Sequence, residues 1–285
     1  MPCFAVLAPW LASLSWLTAL LPDPNRAKVS RMIPYVDVPP LELGGYQVQP
    51  FGFLVIVGVG AFILAAHYRG LALGLGADLV MIGSAVVVGG ALVGGHVFAA
   101  VAYYPERMAG DPMYLVQLFD GQSLFGGLMG GTLAGLLYLA VRRFPLLLFV
   151  EPYAYGTVVS LIFGRLGCAL VHDHPGRVTT FWGAVQGWPD GTTRHDLGLY
   201  ELAVMIALAV VIYALRNRRA IEGLQVAVPM IAYGAVRFWL DFLRVADKRY
   251  GGFTPGQYGA LVLLAGGVAV LTYGWLRRGA GRSAS

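Results

Sequence analysis

LVMIGSAVVVGGALVGGHVFAAVAYY, residues 79–104, contains no Asp, Glu, Lys or Arg. Runs of about 18 or more apolar residues are long enough, as helix, to cross the hydrocarbon core of a bilayer. The same freedom from charge recurs at 51–68, 122–141, 202–215 and 258–276. Only 12% of the 285 residues are charged and 58% are hydrophobic, whereas a soluble domain carries about 25% charged residues. The expected fold class is therefore all-α, a polytopic integral membrane bundle of seven to eight transmembrane helices.

The spans read at roughly 4–21, 51–68, 79–104, 122–141, 146–171, 199–215, 224–243 and 257–276. Arg142/Arg143, Arg216/Arg218/Arg219 and Arg277/Arg278/Arg282 fall on alternate connections. The positive-inside rule places those ends in the cytoplasm. The long connection at 172–198 then forms a short extracytoplasmic head. Residues 1–31 read as an N-terminal extension with two options. It is an extra span, with both tails cytoplasmic, or translation starts at Met32 and leaves seven spans. Pro2, Pro9 and Pro22 count against the segment as a span, and the lack of a basic residue before its apolar run weakens a signal-peptide reading. Residues 32–285 read as a single membrane-embedded domain.

The net charge of +5 does not point to nucleic acid: no dense basic tract with interleaved aromatics occurs. Lys28 and Lys248 are the only lysines, so the basic residues are nearly all arginines that mark loop sides. Cys3 and Cys168 are too few and too separated for a disulfide framework or a metal site. No metal and no cofactor are expected. Glycines cluster within spans at Gly89, Gly90, Gly94, Gly95, Gly126, Gly127, Gly130 and Gly131. Small residues four apart let membrane helices approach closely, and they also leave room for a headgroup.

Two places carry charge where it is expensive. A charge at mid-bilayer costs about 2.5–3.5 kcal/mol on a translocon scale and is usually paired or functional. The first is FGRLGCALVHDHPG, residues 163–176, where Arg165 is followed by His172, Asp173 and His174. The second is YGAVRFWLDFLR, residues 233–244. There Tyr233, Arg237 and Asp241 at i, i+4 and i+8, with Arg244 three later, share one helix face. The plain alternative is a self-neutralising Arg237–Asp241 pair. Arginine offers a planar fork that grips phosphate in bidentate fashion, and the nearest phosphates in a bilayer belong to phospholipids. The expected chemistry is displacement at a phosphate ester, with arginines stabilising the departing phosphate and an acid or base activating the nucleophile. In the outer connection, Trp182 and Trp188 suit an interfacial belt and Pro189-Asp190-Gly191 signals a turn. His67, His96 and His195 read first as ordinary packing or interface residues.

These motifs together resemble the prolipoprotein diacylglyceryl transferase family. FGRLGCALVHDHPGR is similar to the family signature Gly-Arg-x-Gly-Asn-Phe-x-Asn-x-Glu followed by Gly. RHDLGLYE resembles Arg-His-Pro-Ser-Gln-Leu-Tyr-Glu, and YGAVRFWLDFLRVAD resembles Tyr-Gly-x-x-Arg-Phe-x-x-Glu-Phe-x-Arg-x-x-Asp. SLFGGLMGG is similar to Ser-Phe-His-Gly-Gly, and TPGQYGALVLL to the opening of the last span. The likeness runs from about Met32 to Trp275. It implies transfer of a diacylglyceryl group from phosphatidylglycerol to the lipobox cysteine of a prolipoprotein, in the bacterial cytoplasmic (inner) membrane. It implies catalytic roles for Arg165, Arg237, Asp173 and Asp241. It implies substrate binding by Arg165, Gly126, Gly127, Gly176, Arg194, Glu201, Tyr233 and Arg244. Asp173 and Asp241 stand where the family has Glu. The family's His before Gly-Gly is Phe125, which cannot accept a proton. Its Tyr at the opening of the second span is Phe51, its asparagines are Cys168 and Val171, and its Pro-Ser-Gln is Asp196-Leu197-Gly198. His172, His174 and His96 are the candidate replacement bases. Two alternatives stay open: a diverged member using another acceptor or headgroup, and a non-catalytic lipid-binding protein.

Overall fold

In a computed structural model the chain is described over residues 32–283, apart from 45, 119, 219–221 and 246. The segment at 4–21 lies outside the described residues. The helices that could cross a bilayer are α1 (Pro50–Ala72), α2 (Ala77–Ala102), α4 (Leu124–Arg142), α5 (Leu146–Val171), α6 (Leu197–Leu215), α7 (Leu224–Leu240) and α8 (Pro255–Ser283). Among the described residues seven helices are long and apolar enough to do so. A short α3 (Pro105–Gly110) and a 3-10 turn (Pro112–Val116) bridge α2 to α4, and α7 runs on into a 3-10 turn at Asp241–Leu243.

Local chemistry sets the helix ends. Pro50 opens α1, where its missing N–H costs nothing. Ser123 caps α4 by accepting from Gly126 N at 3.3 Å, and Asp196 caps α6 by accepting from Leu199 N at 3.0 Å. His172 ends α5 in the left-handed region at φ 49°. A Cβ is disfavoured in that region, so the surroundings must hold this residue there.

Backbone proximity glues the bundle. A Cβ on Gly90 would lie 2.7 Å from Gly130 O, and one on Gly94 would lie 2.6 Å from Gly126 O. The small-residue stripes of α2 and α4 therefore meet face to face, as their spacing predicts. Gly156 of α5 likewise faces Phe62 of α1, and Gly234 of α7 faces Ala260 of α8. One apolar core joins Phe62, Val80, Leu139, Phe149 and Tyr153; another joins Val158, Met205, Leu208, Ile212 and Tyr233. Large apolar side chains such as Ile56, Leu64, Leu137, Val210 and Trp275 stay on the outside, where acyl chains are their solvent. Arg142, Arg143, Arg216 and Arg277 lie at the end of the bundle opposite the head, as the alternation of charged connections predicts.

The outer connection is a small sheet rather than a loop. Strands β1 (Ile33–Pro34), β4 (Pro175–Val178), β5 (Val185–Gln186) and β6 (Thr193–Asp196) run in the order β1-β5-β6-β4. β1 lies parallel to β5, with Ile33 opposite Val185, and a separate hairpin joins β2 (Leu41–Leu43) to β3 (Tyr46–Val48). His172 Nδ1 meets Asp196 Oδ2, and its ring stacks on Tyr35 at 4.1 Å. Trp188 packs beside that stack and is 9% exposed. The interfacial role expected for Trp188 is thus replaced by a place in the core of the head, whereas Trp182 is 70% exposed.

Gly94→Leu should lower the unfolding midpoint in detergent, because the added side chain must push α4 away; overpacking of this kind costs about 1–3 kcal/mol or more. Gly89→Leu is the control, since a Cβ there meets nothing within 4 Å. An equal midpoint for the two variants would refute the glycine seam.

Candidate functional site

α5, α6 and α7 each bring one charged side chain to a common buried point below the head. Glu201, on the first turns of α6, is fully buried. Its Oε2 lies 2.8 Å from Arg165 Nη2 of α5, and its Oε1 pairs with Arg237 Nη1 of α7. The Tyr233 hydroxyl donates to Glu201 Oε2 at 2.6 Å and accepts from Arg165 Nη2 at 2.9 Å. Arg165 and Arg237 are themselves 6% and 4% exposed, so this is charge withdrawn from both water and lipid. Burial of that kind is tolerated only where every member is paired.

The array continues along α7. Arg237 Nη2 lies 2.9 Å from Asp241 Oδ1, and Arg244 Nε lies 3.7 Å from the same oxygen. The Thr254 hydroxyl donates to Asp241 Oδ2, and Arg244 also pairs with Asp247. The expected Arg237–Asp241 pair is present, but it does not close on itself, because Arg237 also reaches Glu201. Arg237 Nε is buried with no hydrogen-bond partner among the described residues, which leaves one donor of the fork open.

A second group of side chains faces Arg165 from the head side. The left-handed turn at His172 folds Asp173 and His174 back over the last turn of α5, where Cys168 sits. Cys168 Sγ lies 3.8 Å from Arg165 Nη1 and 4.0 Å from His174 Nε2. His174 Nδ1 lies 3.2 Å from Asp173 Oδ1. Burial pushes the His174 pKa down to about 3, and the charges of Arg244 and Arg165 push the same way. His174 is therefore a neutral imidazole. Burial raises the Asp173 pKa, against the pull of Arg165.

Other expected site residues lie around this centre or apart from it. Gly176 forms a backbone bridge to Arg244, and a Cβ there would lie 2.8 Å from His195 Cβ. Arg194 is held by Asp190 at 2.6 Å and reaches Gly176 O at 3.4 Å. Gly126 and Gly127 stand on the α2–α4 seam. His172 pins the head. His96 is fully buried, with Nε2 2.8 Å from Tyr114 O and Nδ1 3.2 Å from Gly121 O; its partners belong to the α3–α4 connection. Phe125 is 3% exposed, and its ring fills the space that Gly259 of α8 leaves open. Phe51 packs on Gly167, where a Cβ would lie 3.0 Å from the ring.

Sequence reasoning missed Thr254 and Gln257, both buried at the start of α8, where Gln257 Oε1 accepts from Thr254 N at 3.0 Å. It also missed Arg69 and Glu151, which pair at the opposite end of the bundle. The signal was present: Glu151 is an acid inside the run that forms α5.

The family model for prolipoprotein diacylglyceryl transferase matches residues 40–273. The chain belongs to that family. A phosphatidylglycerol–prolipoprotein diacylglyceryl transferase of Chromohalobacter salexigens is 32% identical over 87% of this chain and 96% of its own length. Proteins of the same name from Chlorobaculum tepidum and Teredinibacter turnerae are 26% and 29% identical, over 81% and 79% of this chain and 87% and 80% of theirs.

Glu201→Gln should destabilise the chain by about 3–5 kcal/mol, because it leaves two buried arginines short of their counter-charge. Tyr233→Phe removes one hydroxyl and should cost about 1–3 kcal/mol. Unfolding midpoints in detergent report the order. A Glu201→Gln midpoint no lower than that of Tyr233→Phe would mean the arginines are not closed off from water.

Proposed function

We propose that this protein transfers a diacylglyceryl group from phosphatidylglycerol to the thiol of a lipobox cysteine in lipoprotein maturation, within the bacterial cytoplasmic membrane. Residues 32–285 act as one membrane-embedded domain, with the head on the extracytoplasmic side. The observation that carries this reading is the pair of buried guanidinium groups on Glu201, at the level where α5, α6 and α7 meet the head. Family membership supplies the substrates, and the buried arginines suit the chemistry.

The phosphodiester of the lipid carries one negative charge, and the departing glycerol phosphate develops a second. Arg165 and Arg237 are fixed in place before that charge appears, so little reorganisation is needed when it does. Bidentate geometry favours arginine over lysine at both positions. The acceptor sulfur attacks the glyceryl methylene, the bond from that carbon to the phosphate oxygen breaks, and glycerol phosphate leaves with the electron pair. Asp241 and Glu201 hold the two forks in position, and Tyr233 ties Arg165 to Glu201. Arg194 and Gly176 support the strand against which Arg244 lies.

Phe125 and Phe51 favour a second reading. They remove a titratable ring and a hydroxyl from positions where the resembled family signature has them. A member altered in this way would use another acceptor or headgroup, or bind lipid without turnover.

Expression in a bacterium depleted of its own diacylglyceryl transferase separates the readings, with lipidated lipoprotein followed by gel shift. The expected result is modified product that is lost in Arg165→Ala and reduced at least about 100-fold in Arg165→Lys. Lipidation that persists in Arg165→Ala would refute the role of that arginine. No product, with the protein present in the membrane, would favour the altered acceptor or the lipid-binding role.

A further inference from the structure

Cys168, Asp173 and His174 each offer one ligand atom, and the three atoms lie within 4.8 Å of one another. The cluster combines a sulfur, an oxygen and an imidazole nitrogen. It joins the end of a rigid helix to the turn that follows it. His174 Nε2 faces Cys168 Sγ at 4.0 Å, and its Nδ1 has no hydrogen-bond partner among the described residues. Asp173 is 37% exposed, which leaves a path from solvent.

The geometry points to a zinc site built from Cys168, Asp173 and His174, whose fourth position would take a substrate thiolate. Zn2+ takes S, N and O donors in tetrahedral array, and sites with three protein ligands and one open position are those that do chemistry. Small closures of the present separations would reach bonding distance, since Cys168 Sγ and His174 Nε2 stand 4.0 Å apart. Charge also balances. Arg165, Arg237 and Arg244 are matched by Glu201, Asp241 and Asp247, so a Cys168 thiolate and the Asp173 carboxylate remain to neutralise a dication. Arg165 Nη1, 3.8 Å from Cys168 Sγ, orients the sulfur from outside the ligand set. Gly198 of α6 lets the end of α5 pack closely at this point, because a Cβ on it would lie 3.0 Å from Cys168 Cβ.

The site deepens the transferase reading and rests on it for its role. The resembled signature has a titratable ring where this chain has Phe125, and a bound metal would give the acceptor thiol another route to ionisation. A thiol that coordinates Zn2+ is deprotonated outright. Its proton passes to solvent on coordination. The sulfur then forms its bond to the glyceryl methylene, the carbon–oxygen bond of the ester breaks, and glycerol phosphate departs. The S-alkylated product is a weaker donor than thiolate and leaves the metal.

The test uses the full chain with Cys3→Ser, so that Cys168 is its one thiol. The protein is stripped with a chelator in detergent, reloaded with Zn2+, and its bound metal measured by mass spectrometry. Co2+ replaces Zn2+ in a parallel sample to report a thiolate-to-metal absorption band. The expected result is about one Zn2+ per chain and a thiolate band, both lost in Cys168→Asn and His174→Leu. Asn is the residue of the resembled signature at 168, so Cys168→Asn should keep its unfolding midpoint without metal. Asp173→Asn, at a partly exposed position, is the second variant and should lose stoichiometric binding. No retained Zn2+ in the parent, or undiminished Zn2+ in these variants, would overturn the site. The measurement needs no lipid or acceptor. Bound zinc with failed complementation would therefore overturn the transferase reading alone. Lipidation at an unchanged rate by metal-free protein would overturn the role of the metal alone.

Discussion

The structure depends on one carboxylate. Glu201 is fully buried, and both of its oxygens are engaged by guanidinium groups from neighbouring helices. An ion pair of this kind adds little net stability compared with apolar packing, yet breaking it is costly. Its effect is therefore to specify register. α5, α6 and α7 can sit at only one relative height if Arg165, Glu201 and Arg237 are to meet. The same contact leaves Arg237 Nε without a hydrogen-bond partner among the described residues. On the proposed reading, a lipid phosphate would meet donors already aimed and would compete with Glu201 for them rather than create a site of its own.

Around that point the bundle is organised by what is missing rather than by what is added. Apolar surface gives helices no reason to associate in lipid, so close backbone approach must supply the attraction. The stripes at Gly90, Gly94, Gly126 and Gly130 provide it between α2 and α4. The head works on the opposite principle. It is small, and its strands are held by a polar and aromatic cluster of Tyr35, His172, Trp188 and Asp196. The strained turn at His172 belongs to both regions: the contacts that hold it in the head also fold Asp173 and His174 over the membrane site.

Much of this was legible in the sequence because lipid makes hydropathy a strict signal. Absence of charge over 79–104 and its counterparts gave helices whose observed limits, such as Ala77–Ala102, differ little from the expected ones. The i, i+4, i+8 face of α7 was readable from helix period alone. The pairing partner of that face was not, because Glu201 lies on another helix and helix period relates residues of one helix only. The sheet in the head was hidden for a different reason. Its strands are two to four residues long and one of them comes from Ile33–Pro34, so neither alternation nor proximity in sequence marks it. Trp188 reads as an interfacial anchor until that sheet is known to enclose it.

Cys168 illustrates the limit most clearly. Counting cysteines gave no reason to expect a ligand set, because the donors that converge with it are of other types and are brought in by a turn that helix period does not foresee. The same comparison bears on Phe125. Its ring is packed into the α4–α8 contact against Gly259, a setting that accepts an apolar ring and would leave a titratable one desolvated. Titratable groups stand instead at the end of α5, where Asp173 retains contact with solvent and Arg165 is within reach of the sulfur. On the transferase reading proposed above, the work of a titratable group at 125 would pass to this end of α5, which meets water and gives a proton somewhere to go.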